Sequence, residues 1–146
     1  MNPQTRLTTM RLALVLAILF AGTASADVLK VGDRAAELDV AVDAGGKAIK
    51  LKSFKDKWVL VTAGAGWCKP CAKELPAWDK LAPQWKEKVS FIAVDLDEEI
   101  ADGKAFHKKL KLKNMTLVYL SPDSAVAAKY GSDHIAGVIQ IYTRYQ

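Results

Sequence analysis

Trp58-Val59-Leu60-Val61-Thr62-Ala63-Gly64-Ala65-Gly66-Trp67-Cys68-Lys69-Pro70-Cys71 sets an apolar, β-rich run directly ahead of two cysteines separated by two residues. Trp58 to Ala63 reads as a buried central strand. Gly64, Ala65 and Gly66 form a small-residue loop. From Pro70 to about Lys88 the period becomes helical, with Leu75, Trp78, Leu81 and Trp85 recurring at spacings of three and four. The tryptophans of that stripe read as core packing. Pro76 and Pro83 fall inside the segment and predict kinks.

Working outward, Val89 to Val94 reads as a second buried strand. Asp95 to Glu99 reads as an acidic loop suited to the entry of a helix over Ile100 to Leu112. Met115 to Leu120 is a third strand, Ser121-Pro122-Asp123 a turn, Ser124 to Tyr130 a short helix and Val138 to Tyr142 a last strand. Upstream, Leu38 to Val42 and Ala48 to Leu51 flank the turn signal Gly45-Gly46-Lys47, which predicts a hairpin. The pattern is α/β: a mixed, partly parallel central sheet with flanking helices and an N-terminal β-hairpin extension. No repeat, low-complexity tract or second domain is visible.

Residues 1–26 read as a secretory signal peptide. Arg6 and Arg11 make a basic start, Leu12 to Ala21 a short apolar run, and Ala24-Ser25-Ala26 a cleavage signature. The apolar run is about ten residues, against the ~17–25 that a spanning helix needs. The expected product is one exported, periplasmic domain over 27–146, or 146 − 26 = 120 residues. An uncleaved N-terminal membrane anchor is the alternative. Without Arg6 and Arg11 the domain carries 21 − 2 = 19 basic residues against 16 acidic, a net charge of +3. The lysines are scattered and not interleaved with aromatics, so no nucleic-acid partner is expected.

Cys68 and Cys71 are the only cysteines. In an oxidising compartment such a pair can be a structural staple. Two intervening residues close almost no loop, however, and a staple of that kind stabilises little. A pair cycling between dithiol and disulfide is the favoured reading. The first sulfur would lie exposed at a helix N-terminus, where free N–H groups favour its thiolate. The second would lie a turn further on and more buried. Cys68 is therefore assigned as nucleophile and Cys71 as resolving thiol. Lys69 adds a positive charge, and Pro70 suits a first turn.

Trp67-Cys68-Lys69-Pro70-Cys71 followed by Glu74-Leu75-Pro76 resembles the active-site segment of thioredoxin-like proteins of the TlpA/ResA type, which are exported thiol–disulfide oxidoreductases. Gly32-Asp33, Gly46-Lys47 and Lys57-Trp58-Val59-Leu60-Val61 resemble the family's lead-in. Val89 to Asp95 and Tyr130-Gly131 fall at similar places, so the resemblance covers most of 27–142. It implies a thioredoxin-like fold and a reductive role, as in cytochrome c or copper-site maturation. It implies no cofactor and no resident metal. The implied partners are protein disulfide or thiol substrates and a membrane or exported electron-donor protein. Glu74 matches a family glutamate that influences thiol protonation. Trp67, Lys69, Pro70, Ile135 and Ala136 are the implied substrate contacts.

Two departures stand out. The family places a cis-proline where this chain has Ala136; a cis bond before a non-proline residue costs ~2.5–4 kcal/mol, so a trans loop is expected. After Tyr142 only Thr143-Arg144-Tyr145-Gln146 follow. The fold is thus expected to be truncated at the C-terminus, lacking a final hairpin strand and helix. That would uncover a sheet edge and predict lowered stability, dimerisation or aggregation. His107 is expected on the exposed side of a lysine-rich helix, without a role. His134 is expected in the loop facing Cys68, where Cys68, Cys71 and His134 offer three metal ligands. A metal-binding or metallochaperone module, or an inactive remnant of the fold, are therefore the alternative readings.

Overall fold

The computed structural model describes residues 30, 32–35, 37, 38, 40–54, 56–121, 123, 124, 126 and 127, and the backbone of 138–142. The elements are β1 (Trp58–Gly64), α1 (Lys69–Trp85), β2 (Val89–Asp95), α2 (Ile100–Leu110), β3 (Thr116–Tyr119) and β4 (Val138–Tyr142). They form one four-stranded sheet in the order β3-β2-β1-β4. β1 and β2 pair in parallel from Trp58↔Val89 to Gly64↔Asp95. β2 and β3 pair in parallel from Ile92↔Thr116 to Asp95↔Tyr119, and β4 runs antiparallel to β1. The sheet is mixed, as the alternating pattern predicts.

The two faces of the sheet bury different cores. Val59 and Val61 of β1, Ile92 and Val94 of β2 and Val118 of β3 pack with Leu38, Ala41, Leu51, Leu96, Leu120 and Ala127 on one face. Leu60, Phe91 and Ala93 point the other way, against Cys68, against Cys71, Leu75 and Ala82 of α1 and against Phe106 of α2. Period-two alternation within continuous apolar runs accounts for this: β1, β2 and β3 each have both sides covered. α1 runs unbroken through Pro76 and Pro83.

The α2–β3 corner is held to α1 by one carboxylate. Asp79 Oδ1 accepts from the backbone N–H groups of Lys113, Asn114 and Met115 at 2.9, 2.7 and 3.2 Å. The Asn114 side-chain amide donates to Asp79 Oδ2 at 3.0 Å and to the Asp79 carbonyl at 3.1 Å. α2 closes on Lys111, whose φ of 56° lies in the left-handed region and whose N–H donates back to the last turn.

The N-terminal hairpin takes a minimal form. Asp43 closes its turn, accepting from the N–H groups of Gly45 and Lys47 at 2.8 and 2.9 Å. One antiparallel bridge, Val42↔Ala48, stands in place of two strands, and Leu51–Ser53 forms a 3₁₀ turn. The hairpin bonds run from Asp43 N–H to the Lys47 carbonyl at 2.8 Å and from Ile49 N–H to the Ala41 carbonyl at 3.0 Å. On its other edge Val42 bridges to β3: its N–H donates to the Tyr119 carbonyl at 3.0 Å, and Tyr119 N–H returns a 2.8 Å bond.

Candidate functional site

β1 ends at Gly64, and three residues later the chain turns into α1. Cys68 is the N-cap of α1, and its sulfur accepts from the Cys71 N–H at 3.3 Å. A cap position suits a sulfur that must carry negative charge, because the first-turn N–H groups lack intrahelical partners. Cys71 Sγ instead lies 3.8 Å from the Ala63 carbonyl oxygen. A carbonyl lone pair disfavours a thiolate and accepts from a protonated thiol. The two sulfurs thus meet opposite environments: a donor faces the first and an acceptor faces the second.

The cysteines are joined as a disulfide, with Cα atoms 5.3 Å apart. The expected exposure of the first sulfur is not met in this oxidised form. Cys68 is 3% exposed and Cys71 2%. The cap bond turns the Cys68 sulfur inward over the first turn, where it shares the space beside Cys71. Trp67, at 65%, is the exposed surface beside the pair, and Lys69, Pro70 and Glu74 are exposed as well.

Gly64 makes this seat possible. A Cβ built there would lie 2.9 Å from Cys71 Cβ and 3.0 Å from its sulfur, closer than packed side chains approach. The loop that follows is latched from the neighbouring strand end: Gly66 N–H donates to Asp97 Oδ2 at 2.8 Å. Asp97 is oriented in turn by Asp95 Oδ1, which accepts from its N–H at 3.0 Å.

Asp95 opens onto a buried polar cluster on the same sheet face. It is the register partner of Gly64. Its carboxylate occupies the space that a side chain on Gly103 of α2 would fill. Burial pushes its pKa up to about 7, and its Oδ2 has no hydrogen-bond partner. His107 Nδ1 pairs with the Tyr119 hydroxyl at 3.3 Å, while its Nε2 is buried without a partner. Burial lowers the His107 pKa to about 4, opposed by the charge of Asp97. Burial and then Asp95 raise that of Tyr119. The expectation of an exposed His107 is corrected here. His107 is 1% exposed, because Gly103, Phe106 and His107 form the buried stripe of α2 and leave its lysines outside.

A family model described as the AhpC/TSA family matches residues 31–143. The chain belongs to the AhpC/TSA family. It is 47% identical over 75 residues to the thiol-disulfide oxidoreductase ResA of Bacillus thuringiensis subsp. konkukian, covering 51% of this chain and 43% of that protein. It is 41% identical over 91 residues to ResA of a Bacillus cereus strain, covering 62% and 52%. The chain thus spans about half the length of the curated relatives it matches. Among solved structures it is similar to the thioredoxin domain of a thiol-disulfide oxidoreductase from Bacteroides vulgatus. That match has 28% identity and a TM-score of 0.65 over 77% of this chain and 81% of that one. The fold is thioredoxin-like, and the ResA-type resemblance of the cysteine motif agrees with these relatives.

Within this AhpC/TSA-family domain, the structure brings Trp67, Cys68, Lys69, Pro70, Cys71 and Glu74 together at the β1–α1 junction. His134, Ile135 and Ala136 lie outside the described residues, as does the 1–26 segment read as a signal peptide. No helix among the described residues is long and apolar enough to cross a membrane. Gly64, Asp95, Asp97 and Tyr119 were missed by sequence reasoning. In the sequence Gly64 and Asp95 each directly follow a strand-like apolar run, and no local pattern sets them side by side.

Proposed function

We propose that this chain is an exported thiol–disulfide oxidoreductase working mainly as a reductase, of the kind that serves cytochrome c or copper-site maturation. One observation carries the reading: the donor at the Cys68 sulfur and the acceptor at the Cys71 sulfur. In the dithiol form Cys68 is the thiolate and Cys71 the protonated thiol. The Cys68 thiolate attacks a substrate disulfide, forms a mixed disulfide and releases one substrate thiolate. Cys71 then loses its proton, attacks Cys68 Sγ and releases the second substrate thiol. The substrate gains two electrons, and the Cys68–Cys71 disulfide is left to be re-reduced by an exported or membrane dithiol donor. Glu74, one turn past Cys71, is the proposed influence on thiol protonation. Trp67, Lys69 and Pro70, with Ile135 and Ala136, are the proposed substrate contacts. The relatives, named thiol-disulfide oxidoreductases, support the class of chemistry. The TlpA/ResA-type resemblance of the cysteine motif supports the reductive direction, and the basic, apolar N-terminus supports export.

The test is trapping. Cys71→Ser is expected to accumulate a mixed disulfide with glutathione or a substrate protein, and Cys68→Ser is not. Equal trapping by both variants overturns the roles. Titration of the wild type in glutathione buffers, followed by tryptophan fluorescence, should show one two-electron transition. Tight metal uptake by the reduced protein without turnover would instead favour a metal-binding module.

A further inference from the structure

The three parallel strands start at one end of the sheet, while the disulfide lies at the other. β1 is seven residues long, so the two ends are roughly 20 Å apart. At the starting end the backbone gathers Trp58 and Trp85. Trp58 N–H donates to the Lys88 carbonyl at 2.9 Å, and Lys88 N–H donates to the Trp85 carbonyl at 2.8 Å. Both rings are half-exposed, at 45% and 47%. Lys57 Nζ donates to the Lys86 carbonyl at 2.6 Å, which sets two more cations beside them.

The α2–β3 corner reaches this same end and carries Lys108, Lys109, Lys111 and Lys113, all exposed. No aspartate or glutamate occurs between Asp102 and Asp123. The carboxylate that does approach, Asp79, is taken by backbone N–H groups and not by an ammonium. That clamp holds the lysines on a rigid corner. Lys111 even occupies a left-handed position that glycine would fill without strain. Among the described residues, the acids nearest Trp58 and Trp85 along the chain are Asp56 and Glu87. Positive charge therefore prevails, with two amphipathic indole rings at its margin.

We propose that this pole docks on an anionic membrane surface. Lysines attract acidic headgroups, each ammonium adding to the affinity within a Debye length. Half-exposed tryptophans prefer the headgroup level, where a ring is partly apolar and partly wet. A protein acid would match the charge but not the pair of indoles. The disulfide, on the opposite end of the sheet, stays clear of the bilayer, and the exposed Trp67 beside it is left facing solvent. The inference concerns a surface remote from the cysteines and does not rest on the redox reading.

The experiment is partitioning of the full chain onto vesicles of phosphatidylcholine alone and of phosphatidylcholine with about one-third phosphatidylglycerol. The apolar run of residues 12–21 contributes to both, so the readout is the ratio between them. The wild type is expected to prefer the anionic vesicles by at least about tenfold, losing most of that preference in roughly 0.5 M salt. Lys109→Glu with Lys111→Glu and Lys113→Glu should abolish the preference while far-UV circular dichroism is unchanged. If that variant does not fold, Lys109→Gln with Lys113→Gln should reduce the ratio severalfold. Trp85 emission should shift to the blue on the anionic vesicles. A wild-type ratio of one, or folded variants that partition like the wild type, overturns the proposal. Tighter binding to polyglutamate or duplex DNA than to the anionic vesicles also overturns it.

Discussion

Cys71 is seated on the bare α-carbon of Gly64, where a Cβ would lie 2.9 Å from Cys71 Cβ. The last residue of β1 therefore limits how deeply the disulfide can sit. Gly64→Ala must push α1 away from the strand or tilt its first turn. We expect a loss of about 1–3 kcal/mol in denaturant unfolding of the oxidised protein, and more for Gly64→Val. A Gly64→Ala protein as stable as wild type would show that α1 yields freely at this point.

The pH dependence of stability should hold two opposed terms. Asp95 has its pKa raised from 3.8 to about 7, so the folded state holds a proton that the unfolded chain has lost. That term lowers stability as pH rises from about 4 to 7. His107 has its pKa lowered from 6.5 to about 4, so the folded state excludes a proton that the unfolded chain takes up. That term is fully present above pH 6.5 and is lost as pH falls to about 4. The two slopes largely cancel between pH 4 and 6.5. Asp95→Asn should leave a curve that rises with pH across that window, and His107→Gln one that falls. Urea unfolding at half-unit pH steps checks both. Parallel curves for wild type and Asp95→Asn would remove Asp95 from the account.

Asp97→Ala should release the loop ahead of Cys68. The bond to Gly66 N–H is a charge-assisted hydrogen bond, worth about 1.5–3 kcal/mol where solvent is excluded and less at this partly exposed position. The Gly66 amide should exchange with solvent markedly faster, while amides in the middle of β2 keep their protection. Loss of the Asp97 charge should also lower the His107 pKa further, which NMR titration of its ring can follow. Unchanged exchange at Gly66 would mean the latch carries no load.

Asp79→Ala leaves three N–H groups at the α2–β3 corner without their acceptor. A loss of about 2–4 kcal/mol is expected in thermal or denaturant unfolding. Asp79→Asn retains one carbonyl oxygen and should cost less. Equal losses in the two variants would show that charge, and not geometry, holds the corner.

β1, β2 and β3 were legible because each is a short apolar run with both faces covered, and β4 falls on Val138–Tyr142 as the pattern predicts. The start of α1 was legible because a cysteine cap followed by proline in the first turn has few other uses. What escaped was long-range. Asp95 reads as the head of an acidic loop, since nothing local shows that β2 carries it under Gly103. His107 is hidden among lysines, yet the face it shares with Gly103 and Phe106 decides its burial. Gly64 reads as a loop residue because its partner, Cys71, is brought back only by the turn into α1. The hairpin signal marked the turn correctly, but nothing local shows that the other edge of Val42 pairs with Tyr119 of β3.

That last pair has a consequence for how the molecule meets other copies of itself. Two backbone bonds between Val42 and Tyr119 are a rung fastening the upstream segment along the outer side of β3. Unfastened, β3 would present free N–H and carbonyl groups that a foreign strand can read as a template. At Tyr119 the segment ahead of the turn therefore acts as a selvedge, finishing that end of the outer strand against its neighbours.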